Sequence, residues 1–83
     1  MKFSVVWTPT AQDDLARIWL QASDRSAVSS AAQTIDQALE RDPQEQGESR
    51  RESVRVLMVT PLGVDFEVIE EDRRVYVLTV WSY

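Results

Sequence analysis

Phe3, Val5 and Trp7 alternate with Ser4, Val6 and Thr8, the two-residue period of a strand with one buried face. The period then lengthens. Thr8-Pro9 reads as a helix start, because a threonine oxygen can accept bonds from the free amides and proline already has the φ of a first helical position. Ala11, Leu15, Ile18, Trp19 and Ala22 recur at spacings of three and four, so they predict one apolar stripe, with Gln12, Asp13, Arg17 and Gln21 elsewhere. Ser23-Asp24 can cap a second helix, with the stripe Ala27, Val28, Ala31, Ile35, Ala38 and Leu39, ending at Arg41 and closed by Pro43. Its alanines predict a close approach of the two helices.

The polar stretch from Asp42 to Glu52 has no periodicity and holds Pro43 and Gly47, so it reads as a loop returning the chain to the sheet. Strand alternation resumes at Val54, where Val54, Val56 and Met58 alternate with Arg55, Leu57 and Val59. Thr60-Pro61-Leu62-Gly63 predicts a three-residue hairpin loop with proline second and a positive-φ glycine. Val64, Phe66 and Val68 against Asp65 and Glu67 predict a half-buried strand, and Glu70-Glu71-Asp72-Arg73 the next turn. In the last strand, Val75, Val77, Thr79, Trp81 and Tyr83 oppose Tyr76, Leu78, Val80 and Ser82. Two substantially apolar faces favour an interior place in the sheet, with the first strand beside it. The expected architecture is α+β, in the order β-α-α-β-β-β, with a helical hairpin on one face of a mainly antiparallel four-stranded sheet.

Composition narrows the chemistry more than it changes the fold. The hydrophobic fraction of 43% and charged fraction of 28% suit one globular domain over residues 1–83. A chain this short buries only roughly 60% of its unfolded surface, so stability should be marginal. Without cysteine there is no disulfide or thiolate site, and without histidine the commonest metal ligand and general base are missing. No metal or cofactor is expected. Gly47 and Gly63 are the two glycines and neither joins a strand to a helix start, which argues against a phosphate-cradling loop. Ser and Thr have no activating partner, and the one lysine is Lys2. The opening apolar run is too short for a signal peptide and no window approaches the ~20 apolar residues of a membrane span, so a cytoplasmic protein is expected. The net charge of −5 disfavours nucleic acid unless bases gather on one face.

Two acidic pairs, Asp13-Asp14 and Glu70-Glu71, read as solvated charge at a helix start and in a turn. The basic cluster Arg50, Arg51 and Arg55, with Arg73 and Arg74 at the far hairpin, is more informative, because guanidinium suits phosphate or carboxylate. Arg50 and Arg51 can also simply balance Glu48 and Glu52. Arg55 stands inside a strand on the face of Leu57 and Val59, which demands a rim position or a defined partner. Trp81 reads as core, sharing a layer with Phe3, Trp7 and Phe66, whereas the Tyr83 phenol could donate a proton or stack on a base.

The order and spacing of Thr8-Pro9-Thr10-Ala11-Gln12-Asp13-Asp14-Leu15, Arg55-Val56-Leu57 and Val75 to Trp81 resemble the RelE/ParE toxin superfamily over nearly the whole chain. That resemblance implies a plasmid-stabilisation-like toxin of a type II toxin-antitoxin pair, causing growth arrest and neutralised by a cognate antitoxin. Family members either cut messenger RNA on the ribosome or poison DNA gyrase, and a homodimer is a further expectation. For RelE-like cleavage the resemblance implies Arg51, Arg55 and Tyr83 as catalytic residues, with Arg50, Arg73, Arg74 and Trp81 toward RNA or a partner. Thr79 and Ser82 stand where that chemistry wants a base, so weak or absent nuclease activity is expected, as in a gyrase inhibitor or a degenerate, non-toxic homologue.

Overall fold

The computed structural model describes residues 2–51 and 53–83; Met1, Glu52 and the side chain of Arg51 lie outside it. In chain order the elements are β1 (Ser4–Trp7), α1 (Pro9–Gln21), α2 (Arg25–Arg41), a short 3₁₀ turn (Pro43–Glu45), β2 (Glu48–Arg51), β3 (Val54–Val59), β4 (Leu62–Ile69) and β5 (Arg74–Ser82). The sheet has five strands in the order β1-β5-β4-β3-β2, with β1 parallel to β5 and the other pairs antiparallel. Both helices lie on one face, and β5 is interior beside β1, as expected.

Both helix starts form as the residue pattern predicts. The Thr8 hydroxyl oxygen accepts from the Ala11 amide at 3.2 Å, and an Asp24 carboxylate oxygen accepts from the Ala27 amide at 3.0 Å. The core joins Ala11, Val28, Ala31, Ile35 and Leu39 of the helices to Leu62, Val64, Phe66, Val75 and Val77 of the sheet. Trp19 departs from the predicted stripe. It is 39% exposed, its indole nitrogen donates to the Ser29 hydroxyl at 3.2 Å, and Arg25 stacks on its ring at 4.6 Å.

The fifth strand, β2, falls within the expected loop. It is a polar edge strand that pairs on one side with β3, through Glu48↔Val56 and Ser49↔Arg55. Ladder hydrogen bonds rather than apolar burial hold it, so no hydrophobic period marks it. Its entry depends on Gly47, at φ 65°, where a Cβ would collide with the Val56 carbonyl.

Two further corrections concern the meander. The β3–β4 turn is the two-residue Thr60-Pro61 with a cis peptide, and Gly63 lies inside β4 without a positive φ. In β5, Thr79 pairs with Asp65 but Val77 pairs with Phe66, so Leu78 is an extra residue, a β-bulge. The bulge exchanges the faces beyond it. Val75 and Val77 point to the helices, then Val80 does, while Thr79 and Trp81 turn to the open face. Trp81 is therefore not in the layer of Phe3, Trp7 and Phe66.

Because β1 stops at Trp7, the outer half of β5 lacks a strand neighbour, and α1 takes its place. The Thr8 hydroxyl donates to the carbonyls of Val77 (2.8 Å) and Leu78 (3.2 Å). One Asp14 carboxylate oxygen accepts from the Val80 amide at 3.1 Å, while the other accepts from Arg17 at 2.9 Å. Asp14 is thus a sheet-capping group rather than solvated charge.

Candidate functional site

Helices cover one side of the sheet and leave the other open. The register places Val6, Val56, Met58, Gly63, Asp65, Thr79 and Trp81 on that open face, since their paired neighbours and the fully buried Val64 and Phe66 define the opposite one. The Trp81 ring lies along Gly63, where a Cβ would stand 2.5 Å from Trp81 Cε2 and 2.7 Å from Met58 Sδ. Met58 is 47% exposed beside it, so the face carries an apolar patch.

At its centre is a charged pair. Pairing slips between Ser49 and Arg51, and the Arg50 side chain reaches across β3, where its Nη1 donates to Asp65 Oδ1 at 2.8 Å. The Thr79 hydroxyl donates to Asp65 Oδ2 at 2.9 Å. Both oxygens of one carboxylate are therefore held, and the carboxylate is far less exposed than the arginine (17% against 51%).

The other predicted residues are dispersed. Arg55 lies on the helix side at the rim, its Nε donating to the Gln46 carbonyl at 2.9 Å and an Nη to the Gly47 carbonyl at 3.0 Å. The Tyr83 hydroxyl shares a 2.7 Å hydrogen bond with Thr60, so positions 55 and 60 put it roughly 16 Å along β3 from Arg55. Arg73 pairs with Glu70 at 3.6 Å and stacks on Phe3 at 5.0 Å, beyond the opposite end of the sheet. Arg74, at that same end, is fully exposed. Its pKa is raised, first by the hydrogen bond with the Tyr76 phenol and then by the nearby Asp72 carboxylate. The side chain of Arg51 falls outside the described residues.

The sequence does not single out Asp65, and it reads Asp14 as solvated charge and Thr79 as a missing base rather than as hydrogen-bonding partners within the fold. A polar residue between apolar Leu78 and the buried Val80, as Thr79 is, is the available signal, but pairing Thr79 with Asp65 needs the bulged register. On the helical side, Leu15, Trp19, Leu20, Val28 and Ala32 line an apolar groove of about 580 Å³ between α1 and α2. Among the described residues no helix is long and apolar enough to cross a membrane.

This arrangement of a helical hairpin on one face of a sheet with parallel first and last strands is the fold of RelE/ParE toxins. It is similar to the RelBE2 toxin-antitoxin complex of Mycobacterium tuberculosis (TM-score 0.83, 17% identity, 100% of this chain and 93% of that one). It is also similar to the chromosomal ParDE system of P. aeruginosa (0.69, 23%, 96% and 95%) and to a double mutant of the E. coli toxin RelE in the free state (0.73, 15%, 99% and 84%). No curated relative matches in sequence. A family model described as the ParE toxin of the type II toxin-antitoxin system parDE matches residues 5–82, and the chain belongs to that family.

Proposed function

We propose that the chain is the toxin of a type II toxin-antitoxin pair, restrained by a cognate antitoxin, and that it acts without cutting RNA. The separation of two candidate catalytic groups, Arg55 and Tyr83, and the neutralisation of the candidate RNA-binding Arg50 support the second half. Cleavage at a phosphate needs pre-set positive charge, and loss of one such donor typically costs ~10²- to 10³-fold in rate. Here Arg55 is engaged by two backbone carbonyls on the helix side, Arg50 is neutralised by Asp65, and Tyr83 bonds Thr60 at a distance from both. The family match supports the first half, together with two uncovered apolar surfaces on which an amphipathic segment can lie.

Expression of the chain alone should arrest growth, co-expression of a small neighbouring gene should relieve the arrest, and primer extension on cellular mRNA should find no new cuts. Cuts that depend on the chain would overturn the second half. Growth that continues without any neighbouring gene would overturn the first. The ParE match favours DNA gyrase over the ribosome as target. That second reading requires the purified chain to inhibit supercoiling.

A further inference from the structure

We infer that Asp65 is a specificity residue that closes the open face to single-stranded RNA by occupying, with its own carboxylate, the oxyanion position formed by Arg50 and Thr79. This rests on the reading that the toxin does not act on RNA, and supplies a physical cause for it.

Three observations converge. Arg50 sits at the slip between β2 and β3, and from there its guanidinium lies over the open face at the middle of the sheet. Thr79 reaches the same face because the bulge at Leu78 turns it away from the helices. The two donors meet the two oxygens of Asp65 at 2.8 and 2.9 Å, a charge-assisted length for the guanidinium and an ordinary one for the hydroxyl, and both donor types serve carboxylate and phosphate oxygens alike. Asp65 is the residue between the fully buried Val64 and Phe66, so its backbone is fixed by the core and the carboxylate is a built-in occupant. Trp81 and Met58, two registers along the same face, present apolar surface on which a base can stack. An aromatic surface and a guanidinium on one face are the elements of a nucleic-acid site; Glu48 and Glu67 share that face, but Asp65 is the carboxylate that cancels the guanidinium directly.

The measurement is fluorescence anisotropy with a short labelled oligouridine. Wild type should bind weakly. Asp65→Asn keeps the side-chain shape and an acceptor for Thr79 but frees the cation. One phosphate neutralised on a single strand should then strengthen binding roughly tenfold at ~20 mM salt and steepen the salt dependence by about 0.7 in log-log slope. Asp65→Ser, smaller and uncharged, should behave alike and serves if the Asn variant does not fold. Adding Arg50→Ala should abolish the gain. Glu71→Gln, an equal change of net charge on the exposed β4–β5 turn, should not reproduce it.

Equal affinities of wild type and both Asp65 variants would overturn the inference. So would a gain that survives Arg50→Ala, or one that Glu71→Gln matches. Detection of mRNA cuts by wild type would instead overturn the proposed function, and leaves the ratio between variant and wild type to be read independently.

Discussion

Asp14 and Gly63 show how much of this fold rests on single atoms. Val80 is 6% exposed and its amide has no strand partner on the β1 side, so the Asp14 oxygen is what satisfies it. Asp14→Ala should cost about 1–3 kcal/mol, the penalty for a buried donor without a partner, which lowers the melting temperature by roughly 4–8 °C per kcal/mol. Asp14→Asn retains an acceptor and should recover most of the loss in denaturant unfolding. If Asn is as damaging as Ala, the charge facing Arg17 matters more than the bond to Val80. At Gly63 the closeness of Trp81 and Met58 leaves no room for a side chain. Gly63→Val should displace the ring at a cost of about 1–3 kcal/mol and shift the Trp81 indole resonance, leaving those of Trp7 and Trp19 in place.

Among the elements, β2 and β5 separate what the residue pattern reveals from what it conceals. The helices were legible through Thr8-Pro9, Asp24 and stripes of period 3.6, because burial on one face leaves that period in the sequence. So were β3 and β4. The edge strand β2 leaves no such trace, since Glu48, Ser49 and Arg50 are exposed and none of them packs on the core. The bulge in β5 was hidden for another reason. Leu78 continues the apolar run of Tyr76 and Val77, so nothing in the sequence marks the point where the faces exchange, and a strict period of two puts Trp81 and Thr79 on the wrong face. The Arg50–Asp65–Thr79 cluster depends on both features and was invisible for that reason. Arg55 was legible as a rim residue, but its partners, the carbonyls of Gln46 and Gly47, are backbone atoms of a segment read as loop. That gives Arg55 a role at element scale, tethering the approach to β2. Arg55→Ala should speed hydrogen exchange of the amides in residues 46–51 while β4 and β5 stay protected, with a global loss near ~1 kcal/mol. Uniform acceleration across the sheet would show instead that Arg55 supports the whole core.

On the scale of the whole molecule, the core occupies one face of the sheet, and among the described residues no helix covers the opposite face. Val6, Met58, Trp19 and Leu20 are all more than a third exposed, on two sides of the molecule. An 83-residue chain with a single-sided core has little stability in reserve, and exposed apolar side chains gathered beside a groove, as Trp19 and Leu20 are, mark an interaction site. The free toxin should therefore be a weakly stable protein that its antitoxin completes. Binding to the native state alone stabilises by about 2.7 kcal/mol at a ligand concentration of roughly a hundred times Kd. For a domain of this size that corresponds to a rise in Tm of about 10–20 °C. The rise should grow with antitoxin concentration, as mass action requires. The net charge of −5 bears on the partner's character, since a basic segment gains attraction over most of this surface. Association should accordingly slow as salt is added, while the apolar contacts hold the dissociation rate nearly constant. A complex whose dissociation, rather than association, responds to salt would place the binding energy in ion pairs and not on the apolar groove and open face.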